Sequence, residues 1–435
     1  MTARERISGY ESKVREYTNF AVRGIKKVIK ATGPRPCGSE AEHKAQQMMA
    51  KELEDCCESV RLEEFKVAPK AFLSWIRIDI LLTAVSVIAY NLGYAWVSVA
   101  LLALALTAAA LEFLFYKQAL DFMYRKKTSH NLVAVRKPAG EPTRRLILCA
   151  HSDSAPEWRM TYLGDKYFKS VKLLIVIVAA SVVAMVFDFA AALAALLANE
   201  GSFGVYGLER RDKIFIVLGY VMAGLLLPLI PAWFFKNEKR YVDGANDNLS
   251  GCFVAMAVPK LLEGTGTRLE HTELVVICSG GEEAGLRGAK ALLKAHKEEL
   301  DDGVETAFIA LDTLTDFQYM GIFARDMTNT VRHDPAVCAM MRKAANTAGH
   351  DVPYENLFFG ASDAAAATQA GLRAAAFAAM DPAPAAYYHT RLDTVKKLQP
   401  KTIEASLDIV MEIVCQFDET GLTPFEDSKV AAMKH

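Results

Sequence analysis

Two long apolar blocks interrupt this chain, and they limit its fold more than any other feature. The first runs from Phe72 to Tyr116 and the second from Val171 to Phe235. About 20 residues cross a bilayer as a helix, so each block has room for two crossings. The most polar point inside the first is Asn91-Leu92-Gly93, a turn signal that leaves helices over 72–91 and 94–116. In the second, Leu173–Leu197 and Ile214–Phe235 flank Ala198–Lys213, where Gly201, Gly204 and Gly207 read as a loop. The expectation is four spans in two hairpins; the alternative is a buried hairpin of a soluble core. Arg77, Asp79 and Glu112 fall toward the ends away from the first turn. An arginine there snorkels and acids lie nearer the headgroups. Asp188 lies inside the third run, where an acid faces other helices, either as a functional group or simply paired or protonated.

Basic residues set the orientation. Lys66, Lys70, Lys117, Arg125, Lys126 and Lys127 flank the first block, and Arg159, Lys166, Lys169, Lys172, Lys236, Lys239 and Arg240 the second. The turn at 91–93 carries no charge, and the loop at 198–213 carries as many acids as bases. By the positive-inside rule both hairpins point away from the cytoplasm, and everything else is cytoplasmic. The eight cysteines, with no CxxC among them, fit buried free thiols in a reducing compartment. The charged N-terminus, MTARERISGYESKVRE, has no apolar core of a cleavable signal. Net charge is −1, which argues against nucleic acid held by bulk electrostatics.

With the blocks set aside, the remaining segments share one pattern. Residues 10–62 read as helices broken at GPRPCGS. Short apolar runs follow at 131–135, 145–150, 273–279, 306–312 and 374–380, alternating with helices at 244–263, 285–297 and 401–417. Such alternation predicts an α/β domain with a largely parallel sheet.

Acids and histidines cluster where those runs end, the side of such sheets that binds ligands. RLILCA leads into His151-Ser152-Asp153, ELVVICS into Gly280-Gly281-Glu282-Glu283, and TAFIAL into Asp312. Asp247 lies in the Gly-Ala-Asn-Asp-Asn loop before a helix, and His389 in YYHTRLDT after the last run. Two imidazoles and three carboxylates (His151, Asp247, Glu283, Asp312 and His389) suit two divalent borderline metals such as zinc with one carboxylate bridging. Two such ions polarise a carbonyl and share a hydroxide. Glu282 cannot readily reach the same metal as its neighbour Glu283, so it is free to be a general base. Asp153 is placed to accept the other N–H of His151, and Asp393 to buttress His389. Tyr387 and Tyr388 are candidates for an oxyanion contact, or for packing alone.

HSDS, GANDNLSG, SGGEEAGLRGA, the LD ending a strand, and YYHTRLDT resemble the zinc aminopeptidases of the bacterial leucyl aminopeptidase type. Their clan also contains glutamate carboxypeptidase II-like proteins and glutaminyl cyclases. The resemblance covers roughly 30–66, 128–155 and 243–415 and implies a zinc-exopeptidase-like α/β/α sandwich. The chain then divides into peptidase segments 1–70, 117–170 and 236–435, with transmembrane hairpins 72–116 and 171–235 inserted. The resemblance implies two Zn2+ ions, with Co2+ or Mn2+ as possible substitutes. Asp247 would bridge them, His151 and Asp312 would complete one site, and Glu283 and His389 the other. Glu282 would be the base for water bound between the metals, and Asp153 would support it. It also implies a cis bond between Asp247 and Asn248. One departure falls on the substrate side: the family's Ser-Asp-His is here Ser362-Asp363-Ala364. The expected activity is removal of N-terminal residues from peptides at a bilayer. Alternatives are a one-zinc glutaminyl-cyclase-like enzyme or other amide hydrolase, a non-catalytic membrane receptor or scaffold, and a transporter.

Overall fold

A computed structural model describes residues 2–167, 173–198, 213–383 and 385–422. The chain divides into two units. One comprises Met1–Pro69, Lys126–Glu157 and Lys239–His435; the other comprises Lys70–Arg125 and Trp158–Glu238.

The strands in chain order are β1 (Ser59–Val67), β2 (Lys127–Arg136), β3 (Arg144–His151), β4 (Pro156–Trp158), β5 (Lys236–Tyr241) and β6 (Thr272–Ser279). They continue with β7 (Glu305–Leu314), β8 (Met320–Asp326), β9 (Val331–Arg332), β10 (Tyr354–Asn356) and β11 (Arg373–Ala379). The first unit is built on a sheet ordered β1-β2-β6-β3-β7-β11-β8-β10, with β9 paired to β8. Its middle, β6-β3-β7-β11, is parallel. The flanking pairs β1–β2, β2–β6 and β11–β8 are antiparallel. β4 and β5 form a separate two-stranded sheet.

Parallel strands buried on both faces read as continuous apolar runs, which is why RLILCA and ELVVICS are conspicuous. Alternate residues serve opposite faces. Leu146, Leu148 and Leu274 join a core with helices Tyr10–Thr32, Leu249–Gly264 and Pro400–Thr420. Helices Arg287–Ala295 and Asp363–Gln369 lie on the other face, where Cys149 Sγ donates to Asp363. The result is the expected α/β/α sandwich around a largely parallel sheet.

The extent of helix in the first segment differs from expectation. The helices are Tyr10–Thr32 and Glu40–Leu53, and 59–67 is the edge strand β1. Its sequence, SVRLEEFKV, has no buried run because an edge strand is half solvated. β8 and β10 were also not foreseen, being short and lying among turns. The eight cysteines are free, seven of them buried.

The second unit is helical. Phe72–Asn91, Ala95–Leu114 and Ile175–Ala198 are long and apolar enough to cross a membrane. The fourth expected run is not one helix. It comprises Lys213–Leu225 and the short helix Leu229–Trp233, joined by turns with i→i+3 hydrogen bonds at Leu226, Leu227, Leu229 and Ile230. Pro228 and Pro231 lack the N–H that a continuous helix requires. Most of the loop expected between the third and fourth runs, 199–212, lies outside the described residues. Glu112 is buried rather than at an open end, and its Oε1 accepts the Leu120 N–H at 2.8 Å. Arg77 meets Glu238 at 2.9 Å and lies over the Trp233 ring.

Candidate metal centre

The centre is assembled at the carboxyl ends of the parallel strands. His151 ends β3, Glu282 and Glu283 follow β6, Asp312 lies near the end of β7, and His389 follows β11. Asp247 arrives on the loop preceding helix Leu249–Gly264. Asn248 fixes that loop: its side chain caps the helix at Gly251, donates to Leu311 O at 2.8 Å and accepts from Thr313 N. The Asp247–Asn248 bond is cis. Gly251 is required there, because a Cβ would lie 2.4 Å from Leu311 O and from the Asn248 side chain.

Five side chains converge. His151 Nε2 lies 3.1 Å from Asp247 Oδ1 and 3.8 Å from Asp312 Oδ1. His389 Nε2 lies 3.0 Å from Asp247 Oδ2 and 3.3 Å from Glu283 Oε1. Thus each oxygen of Asp247 faces a different histidine. Ligand atoms lie within 4.8 Å of one another in His151/Asp247/Asp312 and in Asp247/Glu283/His389, two sets that share Asp247. Buried Asp247 Oδ2 and Glu283 Oε1 have no aligned hydrogen bond although His389 is so near. Lone pairs that converge in this way fit a common cation. The mixed imidazole and carboxylate donors fit zinc.

The electrostatics agree. Burial opposes ionisation of Asp247, but contact with His151 and His389 holds its carboxyl below the usual range. Burial, with Asp247 nearby, pushes Asp312 up to about 7. Burial lowers His389, yet Glu283 and Asp247 outweigh it and raise the ring to about 10. In the metal-free chain the excess negative charge is met by protons on imidazoles. Glu282 is nearly buried, with Oε2 3.8 Å from His151 Nε2. Burial first, then Glu283, Asp363 and Asp312, raise it well above the carboxylate range. Such a shift gives a stronger base than a free carboxylate.

The two supporting aspartates act differently from expectation. Asp153 is 3.5 Å from His151 Nδ1, too long for a good hydrogen bond. Its oxygens instead accept the backbone N–H groups of Glu282 at 3.1 Å and Glu283 at 3.2 Å. Asp393 accepts from Asn246 N, Asn246 Nδ2 and Asp247 N at 2.9, 2.6 and 3.2 Å. It therefore anchors the Asp247 loop, not the His389 ring. Tyr387 donates to Asp316 at 2.8 Å, which takes its hydroxyl into packing. Tyr388 stacks on His389 with ring centroids 3.9 Å apart.

Other positioning groups were missed. Arg35, fully buried in GPRPCGS, donates to Ser152 O, Gly33 O, Asp243 O and Gly244 O. It ties together the loops that carry His151 and Asp247. Glu42 accepts from Gly281 N, Gly38 N and Ser129 Oγ. Glu157, fully buried, forms a two-pronged pair with Arg391, two residues beyond His389. The only sequence signal for Arg35 was an arginine inside a rigid Pro/Gly turn; Glu42 and Glu157 gave none.

Residues 233–414 match the model of peptidase family M28. A search of curated protein sequences finds no match. Among solved structures, a zinc aminopeptidase from Bacillus subtilis is similar at 14% identity and TM-score 0.53, covering 92% of this chain and 94% of its own. An aminopeptidase from Aneurinibacillus sp. strain AM-1 gives 15% and 0.54, covering 93% and 95%. A glutaminyl cyclase from Fimbriiglobus ruber gives 14% and 0.53, covering 91% and 94%. At these identities the likeness is one of fold. The motifs, the matched segment and the shared fold agree: residues 233–414 match peptidase family M28, and the fold is one shared with zinc aminopeptidases and glutaminyl cyclases.

Proposed function

We propose that this protein is a membrane-anchored, two-zinc aminopeptidase. The observation that carries the reading is Asp247, whose two oxygens face His151 and His389, with Asp312 and Glu283 completing a set on each side. When bound, the two ions would polarise a scissile carbonyl and acidify water. The protein's own residues supply the rest. Glu282, which lies beside the two ligand sets with Oε2 3.8 Å from His151 Nε2, takes the proton of the attacking water and returns it to the leaving amine. Asp153 holds the backbone of Glu282 and Glu283 through two amides, which fixes base and ligand together. Asp393 and Arg35 do the same for the Asp247 loop. Tyr388, stacked on His389, is the tyrosine placed for an oxyanion contact.

Anchoring rests on the three long apolar helices and on large apolar side chains exposed along them, among them Leu81 (54%), Ile88 (58%) and Val183 (64%). Apolar surface in that quantity needs a cover of lipid or protein. With the basic flanks, the reading places the catalytic unit on the cytoplasmic side.

The test of specificity is hydrolysis of aminoacyl amides by detergent-purified, zinc-loaded protein, against the same compounds N-acetylated. Cleavage confined to free N-termini supports the aminopeptidase. Equal cleavage of both, or cyclisation of N-terminal glutamine instead, contradicts it. The cyclase reading keeps its place because Ala364 stands where the aminopeptidase pattern has histidine, on the substrate side. Retention in membranes through a high-pH wash tests the anchor.

A further inference from the structure

The helical unit carries a charge imbalance that no peptidase chemistry uses. Lys70, Arg77, Lys236 and Glu238 all belong to that unit. Lys70 stands two residues before helix Phe72–Asn91, and Arg77 lies in the second turn of that helix. Lys236 opens β5, three residues after helix Leu229–Trp233, and Glu238 lies on the same strand. Arg77 Nη1 and Lys236 Nζ address one oxygen, Glu238 Oε1, at 2.9 and 3.8 Å. The longer distance is an ion pair and not a hydrogen bond. Arg77 Nε donates to Trp233 O at 3.3 Å, and its guanidinium lies 5.6 Å from the centre of the Trp233 ring.

Lys236 is mostly buried, its side chain 11% exposed. Burial lowers its ammonium to about 8; Glu238 opposes this, while Arg77 and Lys70 add to it. The group thus holds three cations and one acid, an excess of two positive charges in a partly desolvated place. Such an excess is costly, and a nearby anion offsets it. The borders of the group say what kind of anion. Leu81, one turn beyond Arg77 on the same helix face, is exposed. So are Ile230 in helix Leu229–Trp233 and Phe234 just after it. Helices Trp75–Asn91 and Leu229–Trp233 pack on each other. A ligand here meets cations at one end and open apolar surface at the other, which is the profile of a phospholipid and not of free phosphate. Arginine offers a fork to phosphate oxygens, lysine a point charge, and an indole sits well at headgroup level. A zwitterionic headgroup cancels its own charge and leaves the excess unmet.

We propose that Lys70, Arg77 and Lys236, beside Trp233, bind the phosphate of an anionic phospholipid in the leaflet from which helix Phe72–Asn91 starts. The proposal rests on the membrane-anchored reading and is independent of the zinc centre. On the orientation given above that leaflet is the cytoplasmic one, where anionic lipids concentrate.

The test uses the full zinc-loaded chain in a non-ionic detergent. Dioctanoyl phosphatidylglycerol, dioctanoyl phosphatidylcholine and inorganic phosphate are titrated separately at constant ionic strength. The thermal midpoint is read by tryptophan fluorescence, since all four tryptophans lie in the helical unit. Phosphatidylglycerol should raise the midpoint saturably, with half-saturation at least tenfold below that of either other compound. R77Q and K236Q should each weaken that half-saturation at least fivefold, and K70Q should weaken it less, with zinc content equal to that of the parent. E238Q should tighten it, because the competing acid is gone. An equal response to phosphatidylcholine, a response kept in the R77Q/K236Q double variant, or weaker binding in E238Q overturns the proposal. Inorganic phosphate acting as well as the lipid overturns the assignment to a lipid. Membranes holding the parent are washed at high pH alongside. Release of the protein would overturn the anchored reading together with this one, whereas retention without a lipid preference overturns this one alone.

Discussion

Asp393→Asn tests how the bridging carboxylate is held. Asp393 accepts two hydrogen bonds from Asn246 through Oδ1 and one from Asp247 N through Oδ2. An asparagine keeps one acceptor oxygen, which the two Asn246 donors occupy. Its amide then faces the Asp247 N–H, donor against donor. One charge-assisted bond is lost and a buried N–H is orphaned, worth about 1.5–3 kcal/mol. Were that cost to fall on the Asp247 loop, it would weaken zinc by about 10- to 150-fold, at about 1.4 kcal/mol per tenfold. Because Asp247 belongs to both ligand sets, both ions should weaken. The assay is zinc titration against a chromogenic chelator, with circular dichroism to verify folding. Unchanged affinity in a folded variant would refute the claim that Asp393 positions Asp247. Weakening of one ion alone would refute the bridge.

Glu282→Gln should retain zinc and lose about 10²- to 10⁴-fold in turnover; loss of zinc would mean that the roles of Glu282 and Glu283 are reversed. Glu157→Gln should cost about 1.5–3 kcal/mol of stability, read in a urea melt, since a buried acid then loses its two-pronged charge pairing with Arg391; an unchanged melt contradicts this. Metal-free protein should lose stability as pH rises from about 4 to about 10. Asp312 and Asp393 are raised to about 7, Glu42 to about 8 and His389 to about 10, in each case with burial the largest single influence, opposed for His389 by Glu283 and Asp247. Each folded pKa lies above its unfolded value, so each contribution is complete below the unfolded pKa and lost through the folded one. A thermal midpoint of chelator-stripped protein that is level or higher at pH 9 than at pH 6 would contradict that sign.

The parallel centre of the sheet was legible because buried strands need unbroken apolar runs, and each such run ended in a chemically distinctive residue. His151, Glu282, Glu283 and Asp312 were read from that rule, and His389, ten residues beyond the last strand, from its motif. β1 and β8 escaped it: an edge strand alternates, and a short strand among turns has no periodicity to read. The fourth apolar run is not one continuous helix, because hydropathy is blind to the hydrogen bonds that Pro228 and Pro231 remove. Residue types at the site were likewise easier to read than partners. Asp153 and Asp393 were expected to hold imidazoles, yet both hold backbone amides, which carry no sequence signature. Arg35 binds four carbonyls, so it too answers to groups that every sequence has.

The central claim is a pair of metal ions sharing Asp247, and its most direct measurement is metal content per chain of detergent-purified protein, with activity followed through chelation and repletion. The account predicts two zinc-like ions per chain, with activity lost to chelator and restored by zinc. One ion per chain would contradict the shared-carboxylate centre and favour a cyclase-like enzyme, and no ion after zinc is offered would contradict the catalytic reading altogether.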